Sequence, residues 1–198
     1  MKTKTQKLTL AAIMVALSVV LSFTKLYSAP YGGSVTFGSM LPIMLLSLTL
    51  GIKWGLAGSS VFATFQIVQA LIEGNVFSAS MHWSTVVICV LFDYLCPFIA
   101  LGLAGVLRNV HAGRFRHFGA YTGIVAVCLF RFLCHYITGV AIWGQWAPEG
   151  MGKWLDSLLY NGGYMLPELA ITLVLAALLL ESAGTRKLID LPVDRAER

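Results

Sequence analysis

An all-α integral membrane protein of six transmembrane helices, with both termini cytoplasmic and no separate soluble domain, is the fold the sequence predicts. Of the 198 residues, 58% are apolar and only 12% are Asp, Glu, Lys or Arg, against about 45–50% and about 25% in ordinary soluble domains. Six spans of about 20 residues each would use roughly that apolar share. The net charge is +5, but Lys and Arg sit in the breaks between apolar runs, which argues against nucleic acid as a partner. Disorder and a secreted disulfide scaffold are equally poor fits.

The expected spans run over about 8–23, 37–50, 54–72, 84–107, 119–142 and 157–180, with a cytoplasmic tail over 181–198. The first follows Met1-Lys-Thr-Lys-Thr-Gln-Lys7 and resembles a signal peptide, yet no small-x-small cleavage site closes it and further spans follow. The second is short for a full crossing. With the N-terminus inside, the inner segments collect eleven of the fourteen Lys and Arg: Lys2, Lys4, Lys7, Lys53, Arg108, Arg114, Arg116, Arg186, Lys187, Arg195 and Arg198. Only Lys25 and Lys153 fall outside, and Arg131 lies within a span. The positive-inside rule then places both ends in the cytoplasm, which requires an even number of crossings. The outer connections, 24–36, 73–83 and 143–156, carry Tyr27, Tyr31, Trp83, Trp143, Trp146 and Trp154 among glycines. An interfacial aromatic belt accounts for one or two of these; so many together suggest a lid over an outward-facing pocket.

Ionisable groups at membrane depth are costly unless they are paired or face a wet cavity. Asp93 lies in the fourth span, Arg131 and His135 in the fifth, and Glu168 in the sixth. Arg131, His135 and Thr138 share one helix face, as do Asn161, Tyr164, Glu168 and Thr172. One alternative is that Arg131 neutralises a single carboxylate and the set only fixes helix packing. Against it, one Arg cannot neutralise two carboxylates, and beside a neutral His135 one negative charge remains. A cationic guest, or protonation of one carboxylate, balances it. Pro42, Pro97 and Pro167 are expected inside helices, freeing the carbonyls of Gly38, Asp93 and Gly163. Cys89, Cys96, Cys128 and Cys134 lie in apolar runs without metal-ligand spacing and read as packing residues. His82, His111 and His117 are scattered, so no metal site and no cofactor are expected.

A family resemblance spans about residues 8–180. Tyr31-Gly-Gly-Ser-Val, Pro42-Ile-Met-Leu-Leu-Ser-Leu, Phe92-Asp-Tyr, Leu101-Gly-Leu-Ala-Gly, Arg131-Phe-Leu-Cys-His135, Trp143-Gly-Gln-Trp-Ala-Pro and Ser157-Leu-Leu-Tyr-Asn161 occur in that order. Together they resemble the thiamine-specific substrate-binding (S) component of bacterial energy-coupling factor (ECF) transporters. The resemblance implies a multi-pass protein of the bacterial cell membrane that captures thiamine from outside and works with a transmembrane scaffold protein and two cytoplasmic ATPase subunits. It implies ligand contacts at Asp93, Tyr94, Arg131, His135, Trp143 and Asn161, with His82, Trp83, Trp146, Tyr164 and Glu168 as further candidates. Asp156 and Phe62 stand where some members have Tyr and Trp. Ala12-x-x-x-Ala16 in the first span is a small-xxx-small pair, at the place where the family docks on its scaffold.

Thiamine carries a permanent thiazolium cation and an aminopyrimidine, which suit aromatic faces and a carboxylate acceptor. Energy must come from elsewhere, since Gly150-Met-Gly-Lys153 has neither the spacing nor the hydroxyl of a phosphate-binding loop. An enzyme is not expected: a hydrolase would need Ser59 or Ser60 with His135, and no orienting carboxylate is placed by spacing. The remaining alternatives are an S component for another vitamin or for a thiamine precursor, and a solitary proton-driven cation carrier using Asp93 and Glu168.

Overall fold

The computed structural model describes residues 3–74, 82–110, 112 and 115–182. The expected tail beyond Ser182, most of the 73–83 connection, His111 and Arg114 lie outside the described residues.

Helix α1, Lys4–Ser22, opens on a capping box: Thr3 Oγ1 accepts from the Gln6 amide and Gln6 Oε1 from the Thr3 amide. The next segment is not the loop expected over 24–36. It forms a hairpin of β1, Lys25–Ser28, and β2, Ser34–Thr36, joined by a short 3-10 turn over Pro30–Gly32. Helix α2, Leu41–Leu50, follows, then α3, Ile52–Glu73. The fourth crossing, Trp83–Leu107, is continuous but compound. It contains α4, Trp83–Cys89, a π-helical turn over Val90–Leu95, α5, Cys96–Ala100, and a 3-10 stretch over Leu101–Leu107. Helices α6, Phe118–Ala141, and α7, Lys153–Glu181, complete the bundle.

Five of these helices are long and apolar enough to cross a membrane, and α2 is a shorter apolar helix. Its ten residues rise only about 15 Å, half of a bilayer core. The shortfall is tolerable because α2 does not face lipid: Leu41 to Thr49 are all buried, so irregular backbone beside it is sheltered by protein. The outer shell is different. Leu129, Leu133 and Ile137 on α6 and Leu166, Val174 and Leu178 on α7 are exposed, as expected of surfaces solvated by acyl chains.

Small residues set the closest approach. A Cβ on Gly102 would lie 2.6 Å from the Gly55 backbone. Ser47 Oγ donates to the Gly102 carbonyl at 2.5 Å and accepts from the Gly105 amide at 3.0 Å. The Leu101-Gly-Leu-Ala-Gly segment thus packs α2, α3 and the fourth crossing backbone to backbone.

The prolines divide into two kinds. Pro42 is in α2 as expected but stands in its first turn, where a missing amide is harmless. The Gly38 carbonyl, expected to be freed, accepts from the Leu41 amide at 3.0 Å. Pro97 begins α5, and the chain before it is rewound so that the Cys96 amide reaches Leu91, five residues back. Pro167 lies in the interior of α7.

Candidate ligand-binding cavity

The π turn carries Asp93 and Tyr94 on consecutive residues, and both line a cavity of about 290 Å³. It sits at the end of the bundle that bears the hairpin and the 3-10 turn Trp143–Trp146. Ligand pockets are commonly about 300–1,000 Å³, so this one suits a small molecule.

Asp93 is buried and accepts from Thr138 Oγ1; its Oδ1 also lies 3.3 Å from His135 Nδ1. With that side of the imidazole engaged, His135 Nε2 is left buried without a hydrogen-bond partner among the described residues. A buried donor or acceptor in this state costs about 1–3 kcal/mol, which a ligand atom can recover. Arg131 pairs with neither carboxylate. Its Nη1 lies 2.9 Å from Met40 Sδ, and its guanidinium sits 4.7 Å from the centroid of Phe98. Its Nε is also buried and has no hydrogen-bond partner among the described residues. Tyr94 stacks on the same Phe98 ring, 6.5 Å centroid to centroid.

Trp143 and Trp146 face each other at 5.6 Å and line the cavity. Asn161 lines it too, yet its amide is bound within the helices. Nδ2 donates to the Ser157 carbonyl at 3.0 Å and to that of His135 at 3.3 Å, while Oδ1 accepts from the Tyr164 hydroxyl at 2.9 Å. It therefore braces α6 against α7 beside any ligand contact. Glu168, 2% exposed, accepts from the Thr36 amide at 2.5 Å and the Thr36 hydroxyl at 2.6 Å.

His82 and Trp83 do not line this cavity. His82 caps α4 through Nδ1, which lies 2.8 Å from Ser84 Oγ, and Trp83 is 72% exposed. Phe62 is core, packed edge-on against Phe98 at 5.7 Å. Ala12 and Ala16 are exposed together on α1.

A model of the thiamine transporter protein family (Thia_YuaJ) matches residues 8–187. The chain belongs to that family. It is 32% identical over 181 residues to thiamine transporter ThiT of Bacillus subtilis, covering 87% of this chain and 88% of that protein. It is 24% identical over 183 residues to ThiT of Lacticaseibacillus paracasei, covering 87% and 85%. The solved structure of ThiT from Listeria monocytogenes superposes with a TM-score of 0.70 at 22% identity, covering 92% of this chain and 96% of that one. The fold is shared. Family membership and the apolar helices make this a multi-pass protein of the cell membrane.

Within the thiamine transporter fold, one cavity wall escaped the sequence reading. Gln66, Gln69 and Glu73 on α3 all line the cavity. Glu73 pairs with Lys25 of β1 at 2.5 Å. Gln69 joins them, donating to Glu73 at 2.9 Å and accepting from Ser22 Oγ at 2.8 Å. A signal existed: positions 66, 69 and 73 follow the i, i+3, i+7 spacing of one helix face. The charge count changes accordingly. Glu73, Asp93, Asp156 and Glu168 face Lys25 and Arg131 around one chamber, so the acidic excess is two rather than one.

Proposed function

We propose that this chain is the thiamine-binding membrane subunit of an ECF-type vitamin importer. It captures thiamine from outside, and a transmembrane scaffold and two cytoplasmic ATPases deliver it to the cell. The observation that carries the ligand assignment is the cavity itself: four carboxylates against two cations, beside a pair of indole rings. An organic cation with a flat heteroaromatic ring satisfies both features. Family membership supports thiamine as that cation.

In this reading Asp93 accepts from the aminopyrimidine amino group, and His135 Nε2 gains its missing partner from the same ring. Trp143 and Trp146 cover the aromatic faces, with a cation-π contact contributing about 0.5–2 kcal/mol. Tyr94, Tyr164 and Arg131 shape the opposite wall. No phosphate-binding loop occurs in the sequence, so the energising step belongs to the ATPase partners, docked through the scaffold on the exposed Ala12 and Ala16 face.

A non-enzymatic role agrees with relatives named as transporters. Ser59, the best candidate nucleophile, is fully buried and bonds the carbonyls of Leu56 and Ile99, each at 3.0 Å.

Calorimetry on the purified chain tests the ligand. Thiamine is expected to bind with a stoichiometry near one, and Asp93→Asn and Trp143→Ala each to weaken it about tenfold or more, or about 1.4 kcal/mol. Phosphate esters of thiamine, which add negative charge to an acidic chamber, are expected to bind more weakly. Absence of saturable thiamine binding, or unchanged affinity in both variants, overturns the assignment.

A further inference from the structure

Glu168 is bonded as a brace rather than as a ligand contact. It is a buried carboxylate on the cavity wall, 2% exposed, and each of its oxygens already accepts a hydrogen bond from the hairpin: Oε2 from the Thr36 amide and Oε1 from the Thr36 hydroxyl. Thr36 is the last residue of β2, the strand that leaves the hairpin. The same hydroxyl is 2.8 Å from Ser39 Oγ, and its oxygen accepts from the Ser39 amide at 3.1 Å. Thr36 therefore ties the hairpin exit to the first turn before α2 and, through Glu168, to the middle of α7.

We infer that Glu168 is a positioning residue: through Thr36 it seats the hairpin over the cavity and so sets how long a ligand stays, without itself contacting the ligand. The inference rests on the proposed thiamine-binding role only where it speaks of ligand residence. Three further observations point the same way. Gly32, Gly33, Ser34 and Thr36 all line the cavity, so the hairpin is part of its wall. The hairpin is a two-stranded ribbon, which on its own is marginally stable; what seats it must come from its neighbours. One of these contacts is apolar: Val35 of β2 is buried against Tyr164 and Met165 of α7. The polar anchors are few: Tyr160 of α7, whose hydroxyl donates to the Pro30 carbonyl and accepts from the Gly33 amide at 3.2 Å, and Glu73, which takes Lys25. Glu168 is the most buried of these anchors, and hydrogen bonds to a charged acceptor are stronger than neutral ones.

Replacing Glu168 by Gln keeps the shape but leaves one acceptor oxygen for two donors. Replacing Thr36 by Val removes the hydroxyl and keeps the amide, while Thr36→Ser keeps both. In the ligand-free, detergent-purified chain, E168Q and T36V are each expected to speed amide hydrogen exchange across residues 25–36 by about tenfold. The double variant should be no faster than E168Q, because the two share one interaction, and T36S should stay near the parent. With thiamine, the same variants should raise the dissociation rate by a similar factor while the association rate changes less than about threefold.

Unchanged hairpin exchange in both E168Q and T36V overturns the inference, as do multiplying effects in the double variant. E168Q weakening thiamine binding while T36V does not would make Glu168 a direct ligand contact, which also overturns it. The exchange measurement needs no ligand, so a parent chain that binds no thiamine defeats the thiamine-binding role and leaves the part played by Glu168 to be decided by exchange in the hairpin.

Discussion

Thr138 shows how much of the cavity's chemistry lies in side chains that carry no charge. Its hydroxyl donates to Asp93 from α6 and also lies near the carbonyls of Cys134 and His135. It aims one carboxylate oxygen, Oδ1. Thr138→Val removes that donor at constant volume. A buried acceptor losing a hydrogen bond costs about 1–3 kcal/mol, but a thiamine amino group can recover part of it. Calorimetry should show thiamine affinity reduced by about three- to tenfold, less than for Asp93→Asn; a loss equal to that of Asp93→Asn would mean that Thr138 meets the ligand directly. Lys25 and Glu73 stand at the other extreme. Their side chains are about a quarter exposed, and ion pairs of that kind contribute about 0–1 kcal/mol. Lys25→Ala should lower the melting temperature of the purified chain only slightly, and a large drop would show the pair to be structural.

At the scale of elements, the spans were legible because each is a local property: about twenty residues without charge admit little but a helix in hydrocarbon. The same logic failed for the segment between α1 and α2. Lys25–Ser28 and Ser34–Thr36 are four and three residues long, too short to carry an alternating pattern, and their seating depends on partners 48 to 132 positions away. No local signal encodes that. The α3 wall failed differently. Its polar spacing was visible, but Glu73 stood beyond the apolar run and read as a boundary. Asp93, Arg131, His135 and Glu168 stand out as charge in hydrocarbon, whereas Tyr94 and Asn161 carry none and enter as ligand contacts through the family resemblance; charge equally misses uncharged braces such as Thr36. Helix packing offers a direct check. Gly102 and Gly55 approach so closely that a side chain at Gly102 meets backbone rather than a movable group. Gly102→Val should separate α3 from the fourth crossing at a cost of about 1–3 kcal/mol, seen as a lower melting temperature in detergent. An unchanged melt would mean that the contact is looser than it stands.

Across the whole molecule, the proposed role puts capture and delivery on separate surfaces. The cavity occupies the end of the bundle bearing the hairpin and the two indoles, whereas Ala12 and Ala16 lie on the exposed face of α1 with Leu8, Ile13, Leu17 and Val20. Lipid alone would be satisfied by large apolar side chains along that whole stripe. Two alanines one turn apart leave a shallow notch where another helix can approach closely, and such packing is what holds helices together in a bilayer, where burial of apolar surface offers no driving force. Neither residue lines the cavity, so a bulky replacement there should act on the partner and not on the ligand. Ala12→Trp with Ala16→Trp is therefore expected to leave thiamine affinity of the purified chain within about threefold while abolishing ATP-dependent thiamine uptake in cells carrying the complete transporter. Uptake that persists would move the docking surface elsewhere on the bundle. Lost affinity in the isolated chain would instead mean that α1 is coupled to the cavity through Ser22, whose hydroxyl bonds Gln69 on the cavity wall, and capture and delivery would then share one mechanical path.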